Sequence, residues 1–197
     1  MSVALVKYNA GNIQSVQHAL NRLGIEVLVT DDHQELLTAD RVIFPGVGNA
    51  FSAMESLKEK KLDLLIPQLT QPVLGICVGM QLLCNHSEEN NTKGLGILNL
   101  SVKKFAGVVN EYKVPQVGWN TIRTLSSPLF KGVAENSYVY FVHSFYVEAG
   151  QETIATTDYI LPFSAAVRKD NFYGVQFHTE KSADTGQIIL ENFLKYT

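Results

Sequence analysis

The sequence predicts an α/β protein in three layers, a mostly parallel central sheet flanked by helices, with an additional antiparallel, strand-rich second half. Three observations predict it. Short apolar runs without polar alternation, such as Val3 to Val6 and Val42 to Phe44, are the pattern of strands covered on both faces. Segments with helical spacing lie between them, which makes each following strand parallel to the last. From Ile97 onward that alternation stops and short strand-like pieces follow one another.

The elements follow in order. Val3 to Val6 is a first strand, and Tyr8-Asn9-Ala10-Gly11-Asn12 a loop. Ile13, Val16, Leu20 and Leu23 recur at helical spacing, with Gly24 placed to end that helix. Glu26 to Val29 reads as a strand, Glu35 to Leu37 as part of a short helix, and Arg41 to Phe44 as a third strand stopped by Pro45-Gly46. Phe51, Met54 and Leu57 mark a helix, and Pro72 begins a strand entering Gly75-Ile76-Cys77-Val78-Gly79-Met80-Gln81. Another helix follows and ends near the polar loop Asn85 to Thr92. Strands are expected at 101–105, 139–147, 153–157, 165–168 and 173–177, and Ile188, Ile189, Asn192 and Phe193 mark a closing helix. No repeat or linker interrupts the chain, so residues 1–197 are expected to form one domain.

Composition narrows the class of function. At 46% hydrophobic and 18% charged the chain is neither disordered nor fibrous, and a net charge of −3 speaks against a nucleic-acid surface. The start of the chain is too short in apolar residues for a secretory core, and no run approaches the ~18 residues of a membrane span. A soluble, cytoplasmic protein is expected. If the stretch after Gly79 is helical, Cys77 and Cys84 lie about 10 Å apart along its axis, too far for a disulfide. Cys84 then falls on one stripe with Met80 and Cys77 and reads as core. Two cysteines without a C-x-x-C spacing do not make a zinc site, so no metal is expected.

The chemistry centres on Cys77. A cysteine between two glycines, behind a strand and ahead of a helix, matches the nucleophile elbow G-x-[nucleophile]-x-G, though a buried core cysteine gives the same local pattern. The elbow lifts its side chain off the sheet toward unpaired helix N–H groups, which favour a thiolate. Five histidines compete as its base. His18, His33 and His86 read as solvated, and His143, beside an apolar strand, as lining or structural. His178 stands apart: in Gln176-Phe177-His178-Thr179-Glu180 a strand's two-residue period sets His178 and Glu180 on one side, so the carboxylate can orient the imidazole. The loop Pro45-Gly46-Val47-Gly48-Asn49-Ala50-Phe51 resembles a dinucleotide fingerprint but has Phe51 where the third glycine belongs, so no nucleotide cofactor is expected. It reads either as a plain turn or as an oxyanion strand acting with the Val78 N–H.

Together, Gly75 to Gln81, Pro45 to Phe51 and Phe177 to Glu180 resemble the class I (triad-type) glutamine amidotransferases. Tyr8 to Val16, Val114 to Asn120, Tyr140 to Phe145 and Gly174 to Ser182 are similar, within that family, to glutaminases serving histidine biosynthesis. The resemblance spans essentially the whole chain. Asn9, Gln116 and Thr179 depart from it, standing where the family usually has glycine, often histidine, and usually proline. The resemblance implies that Cys77, His178 and Glu180 form the triad and that Val47 and Val78 supply the oxyanion N–H groups. It implies that Gly48, Gln81, Ser144 and Phe145 hold glutamine, with no cofactor. Free ammonia is mostly protonated in water, so its release makes sense beside an acceptor site. The implied partner is a (βα)8-barrel cyclase, met through Asn12, Trp119, Asn120 and Lys181. A paralogous amidotransferase serving another barrel, or a free-standing γ-glutamyl hydrolase, carries the same catalytic motifs.

Overall fold

The computed structural model describes residues 1–9, 12–106 and 112–197; Ala10 and Gly11 of the expected first loop lie outside the described residues. The first half alternates as expected: β1 (Val3–Val6), α1 (Ile13–Arg22), β2 (Val27–Thr30), α2 (His33–Thr38), β3 (Arg41–Gly46), α3 (Ala50–Glu59), α4 (Leu62–Leu65), β4 (Val73–Cys77) and α5 (Val78–Leu83). The second half carries β5 (Cys84–Ser87), β6 (Thr92–Lys93), β7 (Leu98–Lys104), β8 (Gln116–Ile122), β9 (Ser137–His143), β10 (Phe145–Val147), β11 (Thr153–Asp158), β12 (Pro162–Lys169), β13 (Phe172–Val175) and α6 (Ala183–Tyr196).

Among the described residues, one large sheet runs in the order β2-β1-β3-β4-β13-β12-β10-β7-β5-β6, with β11 pairing along β12 outside that path. Strands β2, β1, β3, β4 and β13 are parallel neighbours; β12 turns antiparallel to β13. β1, β3, β4 and β13 are buried almost throughout, which is why their sequences are apolar without alternation. The parallel register sets Gly46 opposite Cys77 and Val175 opposite Ile76. Three strands therefore end side by side at one edge, where open α/β sheets place their sites.

A separate antiparallel ribbon, β8–β9, lies outside the large sheet. Its inner face is anchored by aromatic packing: Phe141 meets Phe177 edge-on at 5.9 Å and Phe163 at 6.1 Å between ring centres. Its outer face leaves Val117, Trp119 and Tyr138 more than half exposed, at 59%, 51% and 61%.

Four expectations need correction. The polar stretch after Cys84 is not all loop: β5 and β6 pair across it, because β7 offers β5 a parallel edge. Helix α5 consequently stops at Leu83, and Cys84 opens β5 instead of continuing a helical stripe, though it is fully buried. Strand β13 ends at Val175, so His178 and Glu180 do not share a strand face; His178 precedes a 3-10 turn over Thr179–Lys181. The expected strand 139–147 is two, since the chain breaks at Ser144 and β10 leaves the ribbon to pair with β7. No helix among the described residues is long and apolar enough to cross a membrane.

Candidate active site

Cys77 ends β4 with φ 55° and ψ −112°, a positive-φ conformation rare for a residue with a side chain. Strain of this kind persists only where the surroundings enforce it. Here they do, because α5 packs directly on β3. A Cβ added to Gly79 would lie 2.0 Å from the Phe44 carbonyl oxygen, and one added to Gly75 would lie 2.8 Å from the Met80 nitrogen. The elbow glycines are thus required by contact. Val78 is the first residue of α5, so its N–H has no partner within the helix.

Beside the elbow, β3 runs into Val47 and Gly48, which line the same cleft as Cys77. Buried Tyr8 donates its hydroxyl proton to the Pro45 carbonyl oxygen at 2.7 Å, tying the end of β3 to the end of β1. Burial, and then the nearby charge of Cys77, push the Tyr8 hydroxyl far above its ordinary pKa, so it remains a donor. Asn49 accepts from Phe51 and Ser52 N–H groups and caps α3.

His178 and Glu180 meet through the 3-10 turn: His178 Nδ1 is 2.7 Å from Glu180 Oε1, and both side chains are buried. Thr179 in place of the usual proline leaves that contact intact. Burial disfavours charge on His178, but hydrogen bonding to Cys77 and then to Glu180, with their charges, outweighs it and raises its pKa to about 10. The pair therefore favours imidazolium beside sulfur. The base is also fastened to the ribbon. His178 N–H donates to the Tyr140 carbonyl at 2.9 Å; Ser182 Oγ donates to the His178 carbonyl at 2.6 Å and accepts from Tyr140 N–H at 2.9 Å.

The cleft encloses about 550 Å³ and is lined by Cys77, Val78, His178, Val47, Gly48, Gln81, Ser144 and Phe145. All eight expected catalytic, oxyanion and substrate residues other than Glu180 reach it, and Glu180 touches it through His178. Of the four residues expected at an interface, Lys181 and Asn12 stand on the cleft itself, and Asn12 Nδ2 donates to Glu180 Oε1 at 3.1 Å. Trp119 lies on the ribbon with its ring edge-on to Tyr140, half exposed, which excludes a core role. Asn120 donates to the Asp158 carbonyl at 2.7 Å and braces the ribbon against β11.

Three residues escaped the sequence reading. Glu89 lines the cleft and accepts from the Ala50 N–H at 2.7 Å, although its polar surroundings in sequence read as surface loop. Gln176, fully buried, reaches Cys77 Sγ with its Nε2 at 3.7 Å. Gln116, one of the departures, faces His143 Nε2 at 3.0 Å, while His143 Nδ1 donates to the Phe145 carbonyl at 2.7 Å. Burial, partly offset by that carbonyl, lowers the His143 pKa to about 4, so it stays neutral and serves as lining, not as the base.

Comparisons with known proteins bear on the family. The family model for glutamine amidotransferase class-I matches residues 4–196. The imidazole glycerol phosphate synthase subunit HisH of Bacteroides fragilis is 57% identical over 195 residues, 99% of this chain and 100% of that one. The protein of the same name from Haemophilus influenzae is 40% identical over 196 residues, 99% of this chain and 98% of that one. Among solved structures, a glutamine amidotransferase from Thermotoga maritima superimposes with a TM-score of 0.65 at 18% identity, covering 98% of this chain and 82% of that one. The last is a likeness of fold alone, whereas the others extend through the sequence from end to end: the chain belongs to the class I glutamine amidotransferases.

Proposed function

We propose that the protein is the glutaminase subunit of an imidazole glycerol phosphate synthase. It hydrolyses L-glutamine to glutamate and delivers the ammonia to a (βα)8-barrel cyclase in histidine biosynthesis. The observation that carries the reading is the convergence of Cys77, His178 and Glu180 on one cleft, from the ends of adjacent strands, in a chain 57% identical to relatives of that name.

Each residue takes a definite part. The Cys77 thiolate attacks the side-chain amide carbon of glutamine, forming the C–S bond and placing the electron pair on oxygen. The Val47 and Val78 N–H groups receive that oxyanion. His178, held as imidazolium, gives its proton to the amide nitrogen as the C–N bond breaks, and ammonia leaves. Neutral His178 then takes a proton from water, the hydroxide adds to the thioester carbon, and the C–S bond breaks to return the thiolate and release glutamate. Glu180 holds the imidazole in place throughout, and Asn12 holds Glu180. Gly48, Gln81 and the Ser144–Phe145 backbone take the glutamine, with the Glu89 carboxylate suited to its ammonium.

The barrel partner seats on the outer face of the ribbon, which carries Trp119, and on Lys181 and Asn12 at the cleft, while Asn120 braces that ribbon from its opposite face. Exposed aromatic area of this kind is what protein interfaces use as anchors. The test is glutamate release measured with and without the cyclase and its nucleotide-like substrate. Strong activation requiring both supports the reading, and rates indifferent to them count against it. Cys77→Ser in the complex should abolish release; unchanged hydrolysis would overturn the assignment of the nucleophile.

A further inference from the structure

Gln176 lies outside every role assigned so far, yet its side chain is one of the nearest polar groups to the reacting sulfur. It is fully buried, and its backbone N–H is already spent on the Ala165 carbonyl at 2.8 Å, so the side-chain contacts are additional to those that hold the strand end. A buried amide without partners costs about 1–3 kcal/mol, so this one must be satisfied by what surrounds it. Its neighbours are Gln81 and Cys77: Gln81 Nε2 lies 2.9 Å from Gln176 Oε1, and Gln176 Nε2 lies 3.7 Å from Cys77 Sγ.

The orientation of both amides follows from one atom that has no choice. The Phe145 carbonyl oxygen, 3.0 Å from the Gln81 amide, can only accept. Gln81 must therefore turn its NH2 toward it, and the second hydrogen of that nitrogen falls on Gln176. Gln176 must then present its oxygen to Gln81, which leaves its own NH2 facing the sulfur. A backbone carbonyl thus fixes, through two side chains, a hydrogen-bond donor aimed at Cys77. On its other side the sulfur lies 3.8 Å from the Val142 carbonyl, an acceptor that suits the S–H form. The Gln176 donor suits the anionic form.

We propose that Gln176 is a further catalytic residue, a fixed donor that stabilises the Cys77 sulfur whenever it is anionic, before attack and again as it leaves the thioester. It transfers no proton. Its bond to sulfur weakens when the C–S bond forms and returns when that bond breaks. Helix α5, at six residues, offers little macrodipole to do this instead. The role rests on the glutaminase reading only in its second half; the contact with the free thiolate does not depend on the substrate.

The experiment is alkylation of Cys77 by iodoacetamide at neutral pH in the unliganded full chain, with the modified residue located by peptide mass. Gln176→Met keeps the volume and removes the donor. Gln176→Glu keeps the shape and the acceptor for Gln81 but turns an acceptor toward the sulfur, so it decides the matter if the first variant folds poorly. Both should slow alkylation about tenfold or more, the scale of one hydrogen bond to a charged group. In the complex, both should lower kcat for glutamine while KM moves by less than about twofold, because the donor acts on the sulfur and not on substrate affinity. Alkylation at the unmodified rate in either variant, with thermal stability retained, overturns the proposal. If instead the unmutated complex releases no glutamate, the glutaminase reading falls while the alkylation result stands.

Discussion

Two buried histidines in one cleft carry opposite charge preferences, and the difference lies in what each ring nitrogen faces. His178 meets a carboxylate and a sulfur, whose charges outweigh burial; His143 meets only uncharged groups, a backbone carbonyl and the side-chain amide of Gln116, so burial prevails. For His143 the folded-state pKa of about 4 lies below its unfolded value near 6.5, so the unfolded chain takes up the proton first. Its contribution to stability is full above about pH 6.5 and is lost as pH falls toward 4, about 3 kcal/mol in all. Urea unfolding of the protein and of His143→Gln at pH 7 and pH 4.5 checks this: the acid-induced loss should shrink by about that amount in the variant. His178 runs the other way, stabilising below about pH 6.5 and losing that contribution as pH rises through about 10. Glu180→Gln keeps the size of the orienting side chain and removes its charge. It should lower kcat for glutamine hydrolysis by roughly 10²-fold, the range of general acid–base catalysis, with little change in KM.

At the scale of elements, the site depends on α5 lying closer to β3 than an ordinary helix lies to a strand. Gly79→Ala sets a methyl against the Phe44 carbonyl, which is backbone and cannot rotate away. A loss of about 3 kcal/mol or more is expected, at the upper end of overpacking or beyond it, seen as a fall in Tm. The parallel half was legible because its strands are buried on both faces and its helices keep their period, and the elbow and the Pro45–Gly48 turn were legible because Gly46, Gly75 and Gly79 are forced by contact and Gly48 by its positive φ of 88°. The 178–180 pairing was expected for the wrong geometric reason: a 3-10 turn and a strand both bring residues two apart within reach when the side chains are long enough. Strand β8 went unread because Val117 and Trp119 turn outward while Gln116 and Ile122 turn in, which inverts the apolar pattern that marks a strand. Gln176 and Glu89 were invisible for another reason, since their roles come from contacts over ninety-nine and thirty-nine positions of chain.

For the whole molecule, the outward face of the β8–β9 ribbon is an aromatic surface on an otherwise acidic chain of net charge −3. Trp119→Ala should weaken binding to the cyclase by about 2 kcal/mol, the threshold of an interface hot spot, while leaving the thermal stability of the free chain within about 0.5 kcal/mol. Titration calorimetry and thermal unfolding measure the two separately. Equal losses in both would mean that the tryptophan serves the fold.

The ribbon is also a handle. Tyr140 shows the indole of Trp119 one side of its strand, and through its backbone grips His178 and Ser182 with two hydrogen bonds. Strand β9 therefore cannot tilt without dragging the imidazole or snapping those bonds. A load applied at Trp119 arrives at the His178 imidazole after crossing a single peptide strand, so surface and cleft are separated here by one residue.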